Sequence, residues 1–152
     1  MNIKEKLCEP FGGLKMETAN ELEKICDDYA TQYAEWCCAR ALSVNYFKLN
    51  EEELDQFKVV TGDTEGLVNF GLGLKGIVFS VLIIDRTERV KMSFRSKGKF
   101  PANEFAGQYF SGGGHFNAAG GQSEEDLETV VKKFRMELVK YKEQLKQIAN
   151  EL

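Results

Sequence analysis

A single histidine, His115, is present in the 152 residues, and this scarcity limits the chemistry that the chain can perform. Metal-assisted hydrolysis of a phosphate ester uses clustered Asp and His ligands, commonly around two ions. The sequence has no Asp-His-His or His-x-Asp arrangement, no Walker loop and no nucleophile elbow. The residues therefore predict a binding platform without catalytic residues or metal ligands.

Cysteines are few and are not spaced as metal ligands. Cys8, Cys26, Cys37 and Cys38 match no zinc pattern, and the adjacent pair suits neither an ordinary disulfide nor a zinc knuckle. Reduced thiols packed in or near a core are the simplest interpretation. Together with the absence of a signal-peptide pattern, this predicts a cytoplasmic chain.

Long hydrophobic runs and excess positive charge are missing too. No apolar run reaches the roughly 18 residues of a transmembrane helix, so no membrane partner is expected. The net charge of −4 argues against bulk electrostatic capture of long nucleic acid, although it allows a local basic pocket. The composition, 43% hydrophobic and 29% charged, is typical of a soluble globular protein.

Hydrophobic periodicity predicts alternating helices and strands. Residues 18–37 follow the helical period, and residues 42–49 alternate as a strand. Asn50 and Glu53 match a capping box that begins a short helix. The spelling G-x-G-x-x-G at residues 71–76 precedes a strand and does not open a helix after one, so we reject a dinucleotide-binding loop there.

The clearest strand signals lie in the middle of the chain. Residues 77–84 are apolar at nearly every position, which is typical of a central strand covered on both faces. Residues 89–96 alternate cleanly, and together the two segments predict a β-hairpin. The polar face of the second strand carries Arg89, Lys91, Ser93 and Arg95.

Two further helices are expected after the hairpin. One begins at Pro101, and a last helix begins with Ser123 as its capping residue. Apolar residues from Leu127 to Ile148 form a heptad seam, for which packing across a sheet or a neighbouring domain is favoured over coiled-coil pairing into a homodimer. The patterns predict an α/β (α+β) fold: a mixed sheet of four to five strands, packed helices and a long C-terminal helix.

Residues 111–121, Ser-Gly-Gly-Gly-His-Phe-Asn-Ala-Ala-Gly-Gly, hold five of the 14 glycines and the only histidine. Consecutive glycines leave backbone amides open to a ligand, and the small residues after them predict a short helix whose N-terminus favours an anion. A phosphate or carboxylate site is therefore predicted. Arg95 and Ser93 offer further donors, although a solvated strand face is the alternative for them.

Three motifs, in this order, resemble one known family. Residues 112–120, Gly-Gly-Gly-His-Phe-Asn-Ala-Ala-Gly, resemble the G-G-G-H-x-x-A-A-G signature of the C-terminal, DHH-associated domain of DHH-family phosphoesterases. Residues 63–69 and 90–98 resemble that domain's D-T-E-G-L-V-N and V-K-V-S-x-R-S-K-G elements. The resemblance is greatest to the branch of bacterial nanoRNases, 3′-phosphoadenosine-5′-phosphate (pAp) phosphatases and exopolyphosphatase-related proteins.

The resemblance implies one lobe of a two-lobed enzyme. An N-terminal DHH lobe would hold two manganese ions, and this lobe would bind short oligonucleotides or nucleoside bisphosphates such as pAp. Residues 41–152 would be the substrate-binding domain, while residues 1–40 match nothing recognisable. Because the DHH lobe is absent, we expect this chain alone to be inactive and a longer chain or a partner to supply that lobe.

The resemblance also implies residue roles. Arg95 and His115 would contact the terminal phosphate or nearby oxygens, and Asp63 and Glu65 would hold loops in place. The full set of implied substrate-binding residues is Arg95, His115, Gly112, Gly113, Gly114, Ser93 and Ser96. Of these, Gly113 and Gly114 would present backbone amides, and Ser93 and Ser96 would shape the pocket.

Two other interpretations stay open. A stand-alone module could bind nucleotides or nucleic acid without cleaving them. The C-terminal domain of alanyl-tRNA synthetases shares the glycine motif, although the element at residues 63–69 favours the phosphoesterases.

Overall fold

A computed structural model of the chain describes residues 42–60, 62 and 64–152. In chain order the elements are β1 (Val44–Leu49), α1 (Glu51–Gln56), α2 (Glu65–Gly73), β2 (Phe79–Asp85), β3 (Val90–Ser96), α3 (Ala102–Tyr109), β4 (Gly113–His115), β5 (Ala118–Ser123), α4 (Leu127–Val139) and α5 (Lys142–Glu151). The helix predicted within residues 18–37 and the four cysteines lie outside the described residues. None of the described helices is long and apolar enough to cross a membrane.

Five strands form one mixed sheet in the order β1-β2-β3-β5-β4. β1 runs parallel to β2, and the other neighbours are antiparallel. β2 and β3 form the predicted hairpin, with Phe79 opposite Ser96 and Asp85 opposite Val90. The first six residues of β2 are buried, as expected for a central strand with packing on both faces. The predicted mixed sheet is confirmed.

Two helix starts illustrate how local sequence sets the elements. The predicted capping box is confirmed: Glu53 N donates to Asn50 Oδ1 at 2.8 Å, and Asn50 N donates to Glu53 Oε2 at 3.0 Å. The predicted cap of the last helix is wrong, because Asp126 replaces Ser123. Asp126 accepts hydrogen bonds from the hydroxyl and the amide of Thr129, and these bonds lower the pKa of its carboxyl.

One face of the sheet forms the main core together with α3, α4 and α5. The ring centroid of Phe79 on β2 lies 5.3 Å from that of Phe105 and 6.4 Å from that of Phe134. The predicted heptad seam is buried in this core through Leu127, Val131, Phe134, Leu138, Leu145 and Ile148. The seam thus packs against the sheet, and α4 is the long C-terminal helix, followed by α5.

Among the described elements, α2 covers the opposite face of the sheet, and it does so only in part. A smaller core lies under this helix, made of Phe47, Leu67, Val68, Leu82 and Ile84. α2 packs tightly at Gly71, where an added Cβ would lie 2.1 Å from Asn45 Nδ2. Beyond β3, the residues that β5 and β4 place on this face stay largely exposed. We call this exposed part, on β3, β5 and β4, the open face.

The small residues after His115 form strand β5, so the short helix predicted there is wrong. β4 and β5 make a hairpin with a two-residue turn, in which His115 lies opposite Ala118. β5 also pairs with β3, and it passes so close to the C-terminal end of α3 that a Cβ on Gly121 would lie 3.0 Å from Phe110, the residue after that helix. Strand pairing and close packing outweigh the helix propensity of alanine.

Candidate functional site

The open face carries the polar side chains that the sequence assigns to the site. Val90, Met92 and Phe94 are buried in the main core, so alternation turns Ser93 and Arg95 towards the open face. Both side chains are partly exposed. Their position follows from the period of the strand, as the sequence predicts.

Cross-strand pairing brings further predicted residues to the same face. The two rows are Arg95–Ala118–His115 and Ser93–Gly120–Gly113. Residues directly opposite one another in an antiparallel pair share a face. Arg95 and His115 are therefore two strand spacings apart, about 10 Å between Cα atoms, with only the methyl group of Ala118 between them. Arg95, His115, Ser93 and Gly113 thus belong to one surface.

The glycines of the hairpin have two different structural roles. A Cβ on Gly113 would meet no atom within 4 Å, and one on Gly120 would lie 3.6 Å from the nearest atom. Packing therefore does not require glycine at these two positions, which leave the backbone of the open face bare. By contrast, a Cβ on Gly112 would lie 2.0 Å from a backbone oxygen, and Gly114 has φ +143° and a Cβ position 2.7 Å from another. Gly112 and Gly114 are needed by the hairpin itself.

Ser96 lies on the side of β3 opposite to Arg95 and is buried. Its hydroxyl donates to Phe100 O at 2.7 Å and accepts from Asn117 Nδ2 at 2.8 Å. The same amide donates to Gly98 O at 3.2 Å, and Ser96 N donates to Asn117 O at 3.0 Å. Ser96 therefore fixes the hairpin turn to the end of β3 and does not line the open face. Sequence reasoning gave Asn117 no role.

A cavity of about 440 Å³ lies between α2 and the side of the sheet that carries Ser93 and Arg95. Its lining has an apolar wall of Val68, Leu82 and Ile84, the polar side chains of Thr64, Asn69 and Ser93, and the cations Arg86, Lys91 and Arg95. His115 does not line the cavity. Arg95 belongs to both regions and joins the cavity to the open face.

The cavity carries positive charge that no acid among the described residues matches. Among the described residues, neither Arg86, Lys91 nor Arg95 forms an ion pair. Arg95 uses Nη1 to donate to Phe94 O at 2.8 Å and to Ala119 O at 3.4 Å. Within the described part of the chain, its Nε and Nη2 make no hydrogen bond, so they remain available to a ligand. Such a guanidinium suits a phosphate oxygen.

Sequence reasoning missed part of this lining. Lys91 shares the alternation that identified Arg95, so the same signal could have included it in the site. Arg86 lies in the turn after β2, where no pattern distinguishes it from a solvated arginine. Of the two residues predicted to hold loops in place, Asp63 lies outside the described residues, and only the backbone of Glu65 is described, at the start of α2.

Comparisons with known proteins agree with the motifs. The family model of the DHHA1 domain matches residues 43–140. A crystal structure of an exopolyphosphatase-related protein from Bacteroides fragilis is 33% identical with a TM-score of 0.67, over 88% of this chain and 41% of that one. The chain therefore spans less than half of that relative. No curated protein matches the sequence significantly.

More distant likenesses among solved structures include a synthetase domain and a phosphodiesterase. The C-Ala domain of Aquifex aeolicus alanyl-tRNA synthetase is 15% identical with a TM-score of 0.46, over 62% of this chain and 88% of that one. A pGpG-specific phosphodiesterase from Vibrio cholerae is 14% identical with a TM-score of 0.46, over 72% and 40%. The DHHA1 match extends over more than half of the sequence. The chain belongs to the DHHA1 family, the DHH-associated domains of DHH-family phosphoesterases.

Proposed function

We propose that this domain is the phosphate- and nucleotide-end-binding lobe of a manganese-dependent phosphoesterase that acts on short oligonucleotides or nucleoside bisphosphates such as pAp. The observation that carries the proposal is the cavity beside the glycine hairpin, whose three cations have no acid partner among the described residues. Unpaired cations in a concave, partly apolar site attract an anion with an organic body. Membership of the DHHA1 family supports a phosphate ester as that anion.

Four of the predicted residues contribute specific interactions in this proposal: Arg95, His115, Gly113 and Ser93. Arg95 donates from Nε and Nη2 to the oxygens of a terminal phosphate. The bare backbone at Gly113 and Gly120 lets the ligand lie close to the sheet. His115, two strands from Arg95, borders the far side of the ligand, and Ser93 adds a hydroxyl between the open face and the cavity.

The described residues do not fit a manganese site. Within residues 42–60, 62 and 64–152, no three His, Cys, Asp or Glu side chains are close enough together to hold a metal ion. In this proposal the metal and the attacking water therefore belong to a DHH lobe supplied by a longer chain or a partner. The Bacteroides fragilis relative, of which this chain covers 41%, has the length for such a lobe.

Titration of pAp into the purified chain tests the site. Wild-type protein should bind, and Arg95→Ala and His115→Ala should each weaken binding about tenfold, because each removes a donor to a charged group. Lys132→Ala is the control: it removes a cation from α4, which packs on the other face of the sheet, and it should leave the affinity unchanged. Equal binding by all four proteins would show that the pocket is misassigned.

A phosphate-release assay with manganese separates the enzyme lobe from the non-catalytic module. The chain alone should bind pAp without turnover, and the addition of a DHH lobe should give turnover that Arg95→Ala reduces. Turnover by this chain alone would contradict the proposal. Binding that never leads to turnover with a DHH lobe would favour the module.

A further inference from the structure

The turn between β4 and β5 exposes an aromatic ring beside the proposed site. Phe116 directly follows His115, forms this turn together with Asn117, and is 46% exposed. Within the described part of the chain, no other aromatic ring and no cation contacts this ring. The G-G-G-H-x-x-A-A-G signature leaves position 116 unspecified, so the ring is a property of this chain and not a requirement of the signature.

Hydrogen bonds fix the backbone that carries the ring. Asn117 Nδ2 donates to Ser96 Oγ at 2.8 Å and to Gly98 O at 3.2 Å. Ala102 N donates to Phe116 O at 2.7 Å, so the start of α3 holds the backbone of Phe116 itself. A ring on a fixed backbone has little conformational freedom left to lose when a flat group stacks on it. Phe116 is therefore preorganised for a stacking contact.

Phe116 and the cavity lie on opposite sides of Arg95. Along β3, Ser93 and the cavity precede Arg95, whereas Lys97 follows it on the same side by alternation. Ala118 pairs with Arg95, and β3 and β5 stay hydrogen-bonded past this pair. Phe116 precedes Ala118 by two residues, which puts the Cα atoms of Arg95 and Phe116 on the order of 8 Å apart. One nucleotide can span such a gap, because a single sugar separates its base from its phosphate.

The charge near the ring favours a nucleotide over a protein surface as its partner. Lys97 and Lys99 flank Gly98, whose carbonyl accepts from Asn117 of the turn. Among the described residues, neither lysine side chain forms an ion pair or a hydrogen bond. An apolar protein surface over Phe116 would desolvate these ammonium groups without pairing them, which is unfavourable. A nucleotide brings a phosphate together with the base that stacks on the ring.

We infer that Phe116 is a stacking site for the base of a second nucleotide, on the side of Arg95 away from the cavity. This inference rests on the proposed function, because it takes the phosphate at Arg95 as its starting point. In pAp that phosphate ends the ligand, whereas in a dinucleotide a second nucleoside continues from it. Phe116 thus contributes to the binding of oligonucleotides and not to the binding of nucleoside bisphosphates.

Ligands that lack one base test the stacking site. They are the dinucleotide ApA and two analogues in which a hydrogen atom replaces either the 5′ or the 3′ adenine, with pAp as the ligand that has no second base. Wild-type protein should bind ApA about tenfold more tightly than the analogue that lacks the stacked base. Phe116→Ala should weaken ApA about tenfold, bind that analogue as wild type does, and change pAp affinity by less than about twofold. Phe116→Trp should bind ApA at least as tightly as wild type, and thermal unfolding checks that each variant is folded.

Phe70→Ala is the matched control, since Phe70 on α2 is also 46% exposed but does not line the cavity. It should leave every affinity unchanged. If Arg95→Ala weakens pAp and ApA while Phe116→Ala leaves the loss from each missing base as in wild type, the stacking site is refuted and the proposed function survives. A Phe116→Ala protein that loses only turnover with a DHH lobe would place the ring against that lobe and would also refute the stacking site. If wild-type protein binds neither pAp nor ApA, or Arg95→Ala has no effect, the proposed function fails and the stacking site with it.

Discussion

The glycines of the Gly112–Gly114 run differ in what a Cβ at each position would contact, so the structure needs glycine at some of them and not at others. Gly114→Ala should lower the free energy of unfolding by about 2 kcal/mol, because its φ of +143° is strained for alanine and its Cβ would lie 2.7 Å from Ala118 O. Gly113→Ala should change it by less than about 0.5 kcal/mol, since the Cβ meets open space. Urea unfolding measures both.

The variants Gly113→Ala and Gly114→Ala also distinguish an effect on stability from an effect on ligand binding. Gly113→Ala should still weaken pAp binding several-fold, because its methyl group would occupy the bare backbone of the open face. A Gly113→Ala protein that is stable and binds pAp as wild type does would show that the ligand does not approach this strand.

Which site residues could be predicted from the sequence depends on whether their position follows a period. Ser93 and Arg95 follow from alternation along one strand, and the structure places both on the open face. Ser96 is one position out of that alternation and therefore turns towards Phe100 and Asn117. Arg86 joins the cavity only through cross-strand pairing, and no local pattern encodes that pairing.

At the scale of elements, α2 owes its position over the sheet to Gly71. Gly71→Ala should lower the free energy of unfolding by about 2 kcal/mol, because its Cβ would lie 2.1 Å from Asn45 Nδ2 and 2.5 Å from Ser80 Oγ, and both of these residues are fully buried. Gly73→Ala is the control in the same helix: its Cβ meets nothing within 4 Å, so stability should stay unchanged or rise by up to about 1 kcal/mol. Urea unfolding that gives equal losses for both variants would contradict this account.

Elements with a strong local signal were predictable, and those decided by distant contacts were not. The capping box at Asn50 and the apolar run of β2 are local, and both are confirmed. β5 has alanines and glycines that favour no strand by themselves, and it forms a strand because it pairs with β3 on one side and β4 on the other. The cap at Asp126 was missed because Ser123 offers an equally suitable side chain three residues earlier.

At the scale of the whole molecule, the site exists because the described helices cover the two faces of the sheet unequally. The apolar pattern of β2 predicts cover on both faces, and this is confirmed for the centre of the sheet. How much of each face is buried depends on helix packing. Helices α3, α4 and α5 pack on one face, whereas α2 packs on the other and leaves the open face exposed beyond β3. Periodicity within one strand does not contain that information.

The net charge of the molecule sets the size of ligand that it should prefer. The cations of the cavity are local, while the chain as a whole carries −4, so phosphates beyond the cavity meet no general attraction. Extending a 5′-phosphorylated dinucleotide to a single strand of about 20 nucleotides should therefore raise the affinity by less than about threefold and leave the salt dependence nearly constant. Titrations at several salt concentrations measure both quantities. A salt dependence that steepens with each added nucleotide would reveal a basic surface outside the cavity. The size of the cavity would then not determine the preferred length of the ligand.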